Sequence, residues 1–220
     1  MKYILLILVG LLLSCEKTII YPVKEVVITI DDAPSSPQNT SKILDVLKKY
    51  NVQATMFCIG QYLEQYPDLA QRIAREQTMA NHSYSHFNFK SKDKSILFEQ
   101  ELYKNQILVD SINTSVGKPT NRLFRFPYGA CTDNEINHLL DYEFTVCWWD
   151  LDASDWDNNV SVESIMNYYD THLYNKTEIP VILFHLSNNS VIALDKLLYK
   201  FEKKGIKVIS LQKKLTKKIV

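Results

Sequence analysis

Hydrophobic positions along the chain fall into short runs that switch between a strand-like and a helix-like period. Residues 25–30 are a β-branched run that reads as a strand, while 41–50 set Ile43, Leu44, Leu47 and Tyr50 on one stripe of a helix that Asn51 stops. Residues 54–59 read as the next strand, Pro67 opens a short helix carrying Leu69 and Ile73, and 94–113 form a longer helix. A strand at 122–126 precedes a helix announced by Thr132-x-x-Glu135, the capping-box spacing that satisfies the first free backbone N–H groups. Residues 144–149 follow as a strand, and Ser161 caps a helix reaching about residue 173. Residues 181–184 are a buried strand, Ser190 caps a helix ending before Gly205, and 206–211 close the pattern. No internal repeat or low-complexity linker interrupts it.

Strand and helix alternate throughout, which predicts an α/β fold with a mainly parallel sheet, because parallel neighbours need a crossover and helices supply it. The pattern leaves open whether the sheet is open or closed into a barrel. In both cases ligands bind beyond the C-terminal ends of the strands, so the residues that follow each strand are the place to look for chemistry. Asp31-Asp32 follow the first strand, Pro127-Tyr128-Gly129 follow 122–126, residues 150–156 follow 144–149, and His185 follows 181–184.

A chain of 220 residues with 46% hydrophobic content buries a sizeable core in one domain and needs no metal or disulfide to hold it, so metal-like spacings are read as chemistry. Its 25 basic and 25 acidic side chains argue against the strongly basic balance of a nucleic-acid binder. The one lysine cluster, Lys213, Lys214, Lys217 and Lys218, has no interleaved aromatics and reads as a solvated tail. Cys58, Cys131 and Cys147 are odd in number and form no C-x-x-C pair, so they read as packing residues.

The N-terminus predicts export. Lys2 is followed by an apolar run over residues 4–13, far short of the roughly 20 residues that span a bilayer. Leu12-Leu13-Ser14-Cys15 resembles the lipobox of bacterial lipoproteins, in which the cysteine becomes the lipid-bearing N-terminus; the alternative is a plain secretory signal with a chance cysteine. The expected organisation is a signal peptide over 1–14, a tether over 15–24 behind the lipidated Cys15, and one domain over 25–220. The expected location is the bacterial cell envelope, anchored to a membrane.

Two constellations carry chemistry. Neighbouring strand residues point to opposite sides, so Asp31 and Asp32 can serve different partners, one a cation and one a proton; Asp-Asp-Ala-Pro is equally a turn. His82 and His86 stand four apart, the spacing that brings two imidazoles to one face of a helical turn and within reach of one metal; a solvated loop rich in hydroxyls is the alternative. Together with Asp32 they make a three-ligand site with an open position for water, the layout of a catalytic zinc.

These residues resemble the NodB-homology polysaccharide deacetylases, carbohydrate esterase family four. Thr29-Ile30-Asp31-Asp32 is similar to the family's Thr-Phe-Asp-Asp motif, His82 to His86 to its His-Ser/Thr-x-x-His motif, and Arg125-Phe126-Pro127-Tyr128-Gly129 to its Arg-x-Pro-Tyr-Gly motif. Asp152 to Trp156 are similar to Asp-x-x-Asp-Trp, and Leu183-Phe184-His185 to Leu-x-His. The resemblance implies a distorted (β/α) barrel of about seven strand-helix units, occupying residues 25–220 as a catalytic domain that removes N-acetyl groups from amino-sugar polymers. It implies Asp32, His82 and His86 as metal ligands, most simply for zinc, with cobalt, manganese or nickel as substitutes. Asp31 is implied as the base for a metal-activated water whose pKa falls to about 7. His185 is implied as the acid that protonates the leaving amine. Arg125 is then expected to pair with Asp31 and Asp152 with His185, while Asp150 and Asp155 remain alternatives as carboxylate partners. The backbone N–H of Tyr128 is implied to stabilise the oxyanion, and Trp156 and Leu183 to form the pocket for the acetyl methyl.

Ile30, Ala33, Phe126 and Leu186 depart from the family pattern without removing a reacting group. The expected partners are a carbohydrate polymer and, through the lipid, a membrane; no nucleic-acid partner is expected, and the chain is expected to be a monomer. An O-acetyl esterase acting on xylan or a related polymer by the same mechanism is the first alternative, and a non-catalytic carbohydrate-binding lipoprotein the second. Other hydrolase classes lack support, since the sequence has no G-x-S-x-G elbow, no phosphate-cradling glycine loop and no dinucleotide fingerprint.

Overall fold

The computed structural model describes residues 23–90, 98–176 and 178–217. The expected signal peptide and Cys15 lie outside these residues. Among the described residues the strands are β1 (Glu25–Ala33), β2 (Thr55–Cys58), β3 (Thr78–Asn81), β4 (Leu123–Phe124), β5 (Thr145–Val146), β6 (Leu151–Asp152), β7 (Val181–Phe184) and β8 (Lys207–Val208). The helices are α1 (Pro37–Lys49), α2 (Gly60–Gln65), α3 (Pro67–Glu76), α4 (Lys104–Ser115), α5 (Asp133–Asp141), α6 (Val162–His172), α7 (Asn188–Lys204) and α8 (Leu211–Lys217), with a π-helical turn, Phe98–Tyr103, leading into α4.

All the strand pairs are parallel, in the order β5-β4-β3-β2-β1-β7-β6, with β8 beside β1. This order puts β5 and β6, consecutive in the chain, at opposite edges. Seven flat strands would hold those edges roughly 29 Å apart, whereas the chain from Val146 to Leu151 reaches at most about 17 Å. The sheet therefore curls into the distorted (β/α) barrel that the family resemblance implies, with residues 147–150 running across its seam.

Alternation along the strands divides two cores. Val26, Ile28 and Ile30 of β1 pack outward with Ile43, Leu44, Leu194 and Leu197 of the surrounding helices. Val27 packs inward with Phe57, Ala80, Leu123, Cys147 and Val181. Both faces are buried, which is why β1 reads as one continuous apolar run. Thr29 and Asp31 lie in register above Val27 on the inward side, so the alternation that fills the barrel also delivers Asp31 to its mouth.

Several elements differ from the sequence reading. β3 is too short, and too buried along its length, to show alternation. The strands expected at 122–126 and 144–149 pair over only two residues each, because the chain beyond them turns into the mouth and seam. The described part of the helix expected over 94–113 is the π-helical turn followed by α4. Ser187, rather than Ser190, caps α7, its Oγ accepting from Ser190 N. The C-terminal lysines belong partly to α8, and Lys214 reaches Asp150 at 3.1 Å. The Thr132–Glu135 capping box and the Ser161 cap form as expected.

Candidate active site

At the mouth, Asp31 is buried and paired with Arg125, whose Nη1 donates to Asp31 Oδ1 at 2.8 Å and to Thr29 Oγ1 at 2.9 Å. Arg125 is wholly buried, yet its charge is not stranded. Its Nε donates to Cys147 O and its Nη2 to Trp148 O, two carbonyls of the seam that no strand ladder covers, and its guanidinium lies 4.2 Å from the centre of the Phe57 ring. One side chain thus orients Asp31 and closes the barrel.

His82 follows β3, and its segment is a loop rather than the helical turn that the four-residue spacing suggested. Ser83 and His86 take left-handed φ values of 64° and 62°, and this bend brings the two rings together. The loop is held from behind. Asn105 Nδ2 lies 2.8 Å from each of Cys58 O, Asn81 Oδ1 and Ser83 O, and Glu101 of the π-helical turn accepts from Ser85 N and Ser85 Oγ. Gly60 N and Gln61 N donate to Ser83 O and Tyr84 O. A Cβ on Gly60 would stand 2.6 Å from the Tyr84 ring and 2.8 Å from Asn105 Oδ1, so the close approach requires glycine. No motif marks Glu101 or Asn105 in the sequence, because they lie on a distant helical segment and act only through the packed loop.

His82 Nδ1 faces the Arg125 carbonyl at 2.8 Å and His86 Nδ1 faces Tyr128 Oη at 3.0 Å, leaving both Nε2 atoms toward Asp32 Oδ1, at 3.4 and 3.0 Å. The three ligand atoms lie within 4.8 Å of one another. Asp32 Oδ1 is buried, and no ring N–H is directed at it in hydrogen-bonding geometry. Electron-rich atoms therefore converge with no proton between them, an arrangement that a divalent cation satisfies and that suits zinc by donor type. These residues fit the metal that the sequence implies.

On the other side of the mouth, His185 follows β7. The structure corrects its expected partner: Asp155, not Asp152, holds it, through Nδ1 to Oδ1 at 2.8 Å and the backbone N to Oδ2 at 2.9 Å. Asp152 Oδ1 instead accepts from Ser154 N and caps a turn in which Ser154 has φ 54°, and that turn carries the buried Asp155 back toward the barrel. Burial would lower the His185 pKa; the Asp155 hydrogen bond and charge override it, with Asp31 and Asp32 adding, and raise it to about 9.

These groups line one cleft of about 490 Å³ together with Leu183, Asp152, Trp149, Trp156 and Tyr128. Leu183 is buried, whereas Trp156 and Tyr128 are 58% and 69% exposed and form its rim. Trp149 is a lining residue that the motif reading did not single out. Of the seven non-glycine residues with positive φ among those described, five, Asp32, Ser83, His86, Tyr128 and Ser154, belong to the segments that form this cleft. At the Ala33 departure the left-handed backbone belongs to Asp32, with φ 66°, while Ala33 ends β1 and is buried. Leu186 is buried against the outer core.

The sequence matches the polysaccharide deacetylase family over residues 20–147. It is 33% identical over 198 residues to a peptidoglycan-N-acetylglucosamine deacetylase of Bacillus cereus, covering 87% of this chain and 68% of that protein. It is 28% identical over 145 residues to a chitooligosaccharide deacetylase of Rhizobium leguminosarum bv. trifolii, covering 66% of this chain and 64% of that one. Its fold is similar to the crystal structure of the Bc1960 peptidoglycan N-acetylglucosamine deacetylase, with a TM-score of 0.76, 31% identity and 86% of each chain covered. The family match takes in Asp31, Asp32, His82, His86 and Arg125, which the barrel gathers at one mouth, and it extends over more than half of the chain: the protein belongs to the polysaccharide deacetylase family.

Proposed function

We propose that this chain is a metal-dependent hydrolase that removes N-acetyl groups from an amino-sugar polymer: peptidoglycan, a chitin-like chain or poly-N-acetylglucosamine. The observation that carries this reading is the convergence in one cleft of the Asp32-His82-His86 triad, an Arg125-held carboxylate and an Asp155-held imidazole. The names of the relatives, which act on peptidoglycan and chitooligosaccharides, support the substrate class.

Asp32, His82 and His86 would hold the cation, zinc before cobalt, manganese or nickel. When bound, it supplies Lewis-acid polarisation of the attacked carbonyl and of water. Arg125 holds the Asp31 carboxylate in place at the cleft, where it takes a proton from water as the C–O bond forms. The Tyr128 backbone N–H contributes to stabilising the oxyanion. His185, kept as an imidazolium by Asp155, gives its proton to the amine nitrogen as the C–N bond breaks, leaving acetate and a free amine. Leu183 supplies a buried wall for the acetyl methyl and Trp156 an exposed edge.

The test is acetate release from N-acetylglucosamine oligomers by the zinc-loaded chain from residue 16 onward. Release is expected, with loss in Asp31→Asn and after chelation. A folded, zinc-loaded protein that releases acetate only from acetylated xylan would transfer the assignment to an O-acetyl esterase, and one that releases none would overturn it. Export and lipidation at Cys15 complete the proposal. β1 begins at the end of the barrel opposite the cleft, so an anchor there leaves the mouth free to meet polymer. Cys15→Ser should abolish incorporation of labelled fatty acid, and incorporation that persisted would refute the anchor.

A further inference from the structure

One short segment grips both candidate ligand rings from behind. Its first residue, Arg125, presents a backbone carbonyl 2.8 Å from His82 Nδ1, and Tyr128, three residues on, presents its phenol 3.0 Å from His86 Nδ1. A carbonyl can only accept, so the His82 proton sits on Nδ1 and its Nε2 lone pair faces Asp32. A hydroxyl can donate or accept. The direction that matches His82 is His86 Nδ1–H donating to Tyr128 Oη, which turns the His86 Nε2 lone pair toward the point where the three donor atoms converge. The placement of Tyr128 fits this task better than it fits packing. The residue is 69% exposed, its backbone is held at φ 60°, and its ring meets His86 edge-on with centroids 4.5 Å apart.

We infer that the Tyr128 hydroxyl is a positioning group that fixes the tautomer and ring angle of His86, so that the Arg125–Tyr128 segment presets both histidines for the cation. This role belongs to the side chain and is separate from that of the Tyr128 backbone N–H. It rests on the metal reading proposed above.

The experiment is a zinc titration of the full chain against a chromogenic chelator, with Tyr128→Phe beside the parent. Phenylalanine keeps the ring and the backbone N–H and removes only the acceptor. The dissociation constant for zinc should rise about 10- to 100-fold, with the melting temperature of the metal-free variant unchanged, since the hydroxyl is not part of the core. A constant within twofold of the parent's would overturn the inference. Nitrogen-15 spectra of the histidine-labelled, metal-free parent give a second test that needs no variant. Neutral His82 and His86 should both carry the proton on Nδ1, and a His86 protonated on Nε2 would sink the idea. A parent chain that binds no zinc at all would instead remove the metal reading, an outcome distinct from either of these.

Discussion

Two positions on β1, Val27 and Asp31, point into the same barrel four residues apart and live in opposite chemistries. Around Val27, the side chains of Phe57, Ala80, Leu123, Cys147 and Val181 pack without direction, and any shape of similar volume would serve. Around Asp31, polar side chains meet specified partners, Arg125 above all, and the loops are bent into left-handed conformations to place them. Arg125 is the boundary: the flat face of its guanidinium rests on Phe57, while its edge donates to Thr29, Asp31 and the seam carbonyls. A buried polar site is tolerable above an apolar plug because one residue presents the right surface to each.

The comparison breaks most severely at that boundary. Arg125→Met should lower unfolding free energy by about 3–5 kcal/mol, because it leaves Asp31 buried without its partner and strands two carbonyls. Urea denaturation measures it, and a loss under about 1 kcal/mol would show that the two halves do not depend on this residue. Next in size is Gly60→Ala, where the added methyl meets Tyr84 and Asn105. A cost of about 1–3 kcal/mol is expected, accompanied by weaker zinc binding because the His82–His86 loop must shift; unchanged binding would mean that the loop absorbs the change.

Asp155→Asn tests the mouth through pH. The folded His185 titrates at about 9, above its ordinary 6.5, so its contribution to stability is fully present below pH 6.5 and is lost as pH rises through about 9. Hydrolysis that uses its proton should fall over the same upper range. Without the Asp155 charge, burial dominates, and the basic limb of the rate profile should move down by about one to two pH units. A limb that stays near 9 would exclude His185 as the group it reports. The smallest effect belongs to the plug: Val27→Ala should cost about 1–2 kcal/mol, with zinc affinity and pH profile preserved. A changed profile would mean that packing below Arg125 reaches the site.

The difference between the halves also explains what was legible beforehand. The capping box at Thr132–Glu135 and the β1 run were readable because each is settled by neighbouring residues. The pairing of His185 was not. Asp152 and Asp155 sit three residues apart in one motif, and a turn at Ser154 decides which carboxylate returns to the barrel. Glu101, Asn105 and Trp149 escaped the motif reading for a related reason, since what they do depends on where packing sets them.

The sequence by itself determined the alternation of elements, the apolar run of β1 that ends at Asp31-Asp32, and the residue types that could hold a cation or move a proton, because periodicity and side-chain chemistry are local properties. The tertiary structure alone decided the curl of the sheet, the double use of Arg125, the choice of Asp155 and the meeting of Tyr128 with His86. Each of these is a contact between segments tens of residues apart, and its geometry exists only once the barrel has packed.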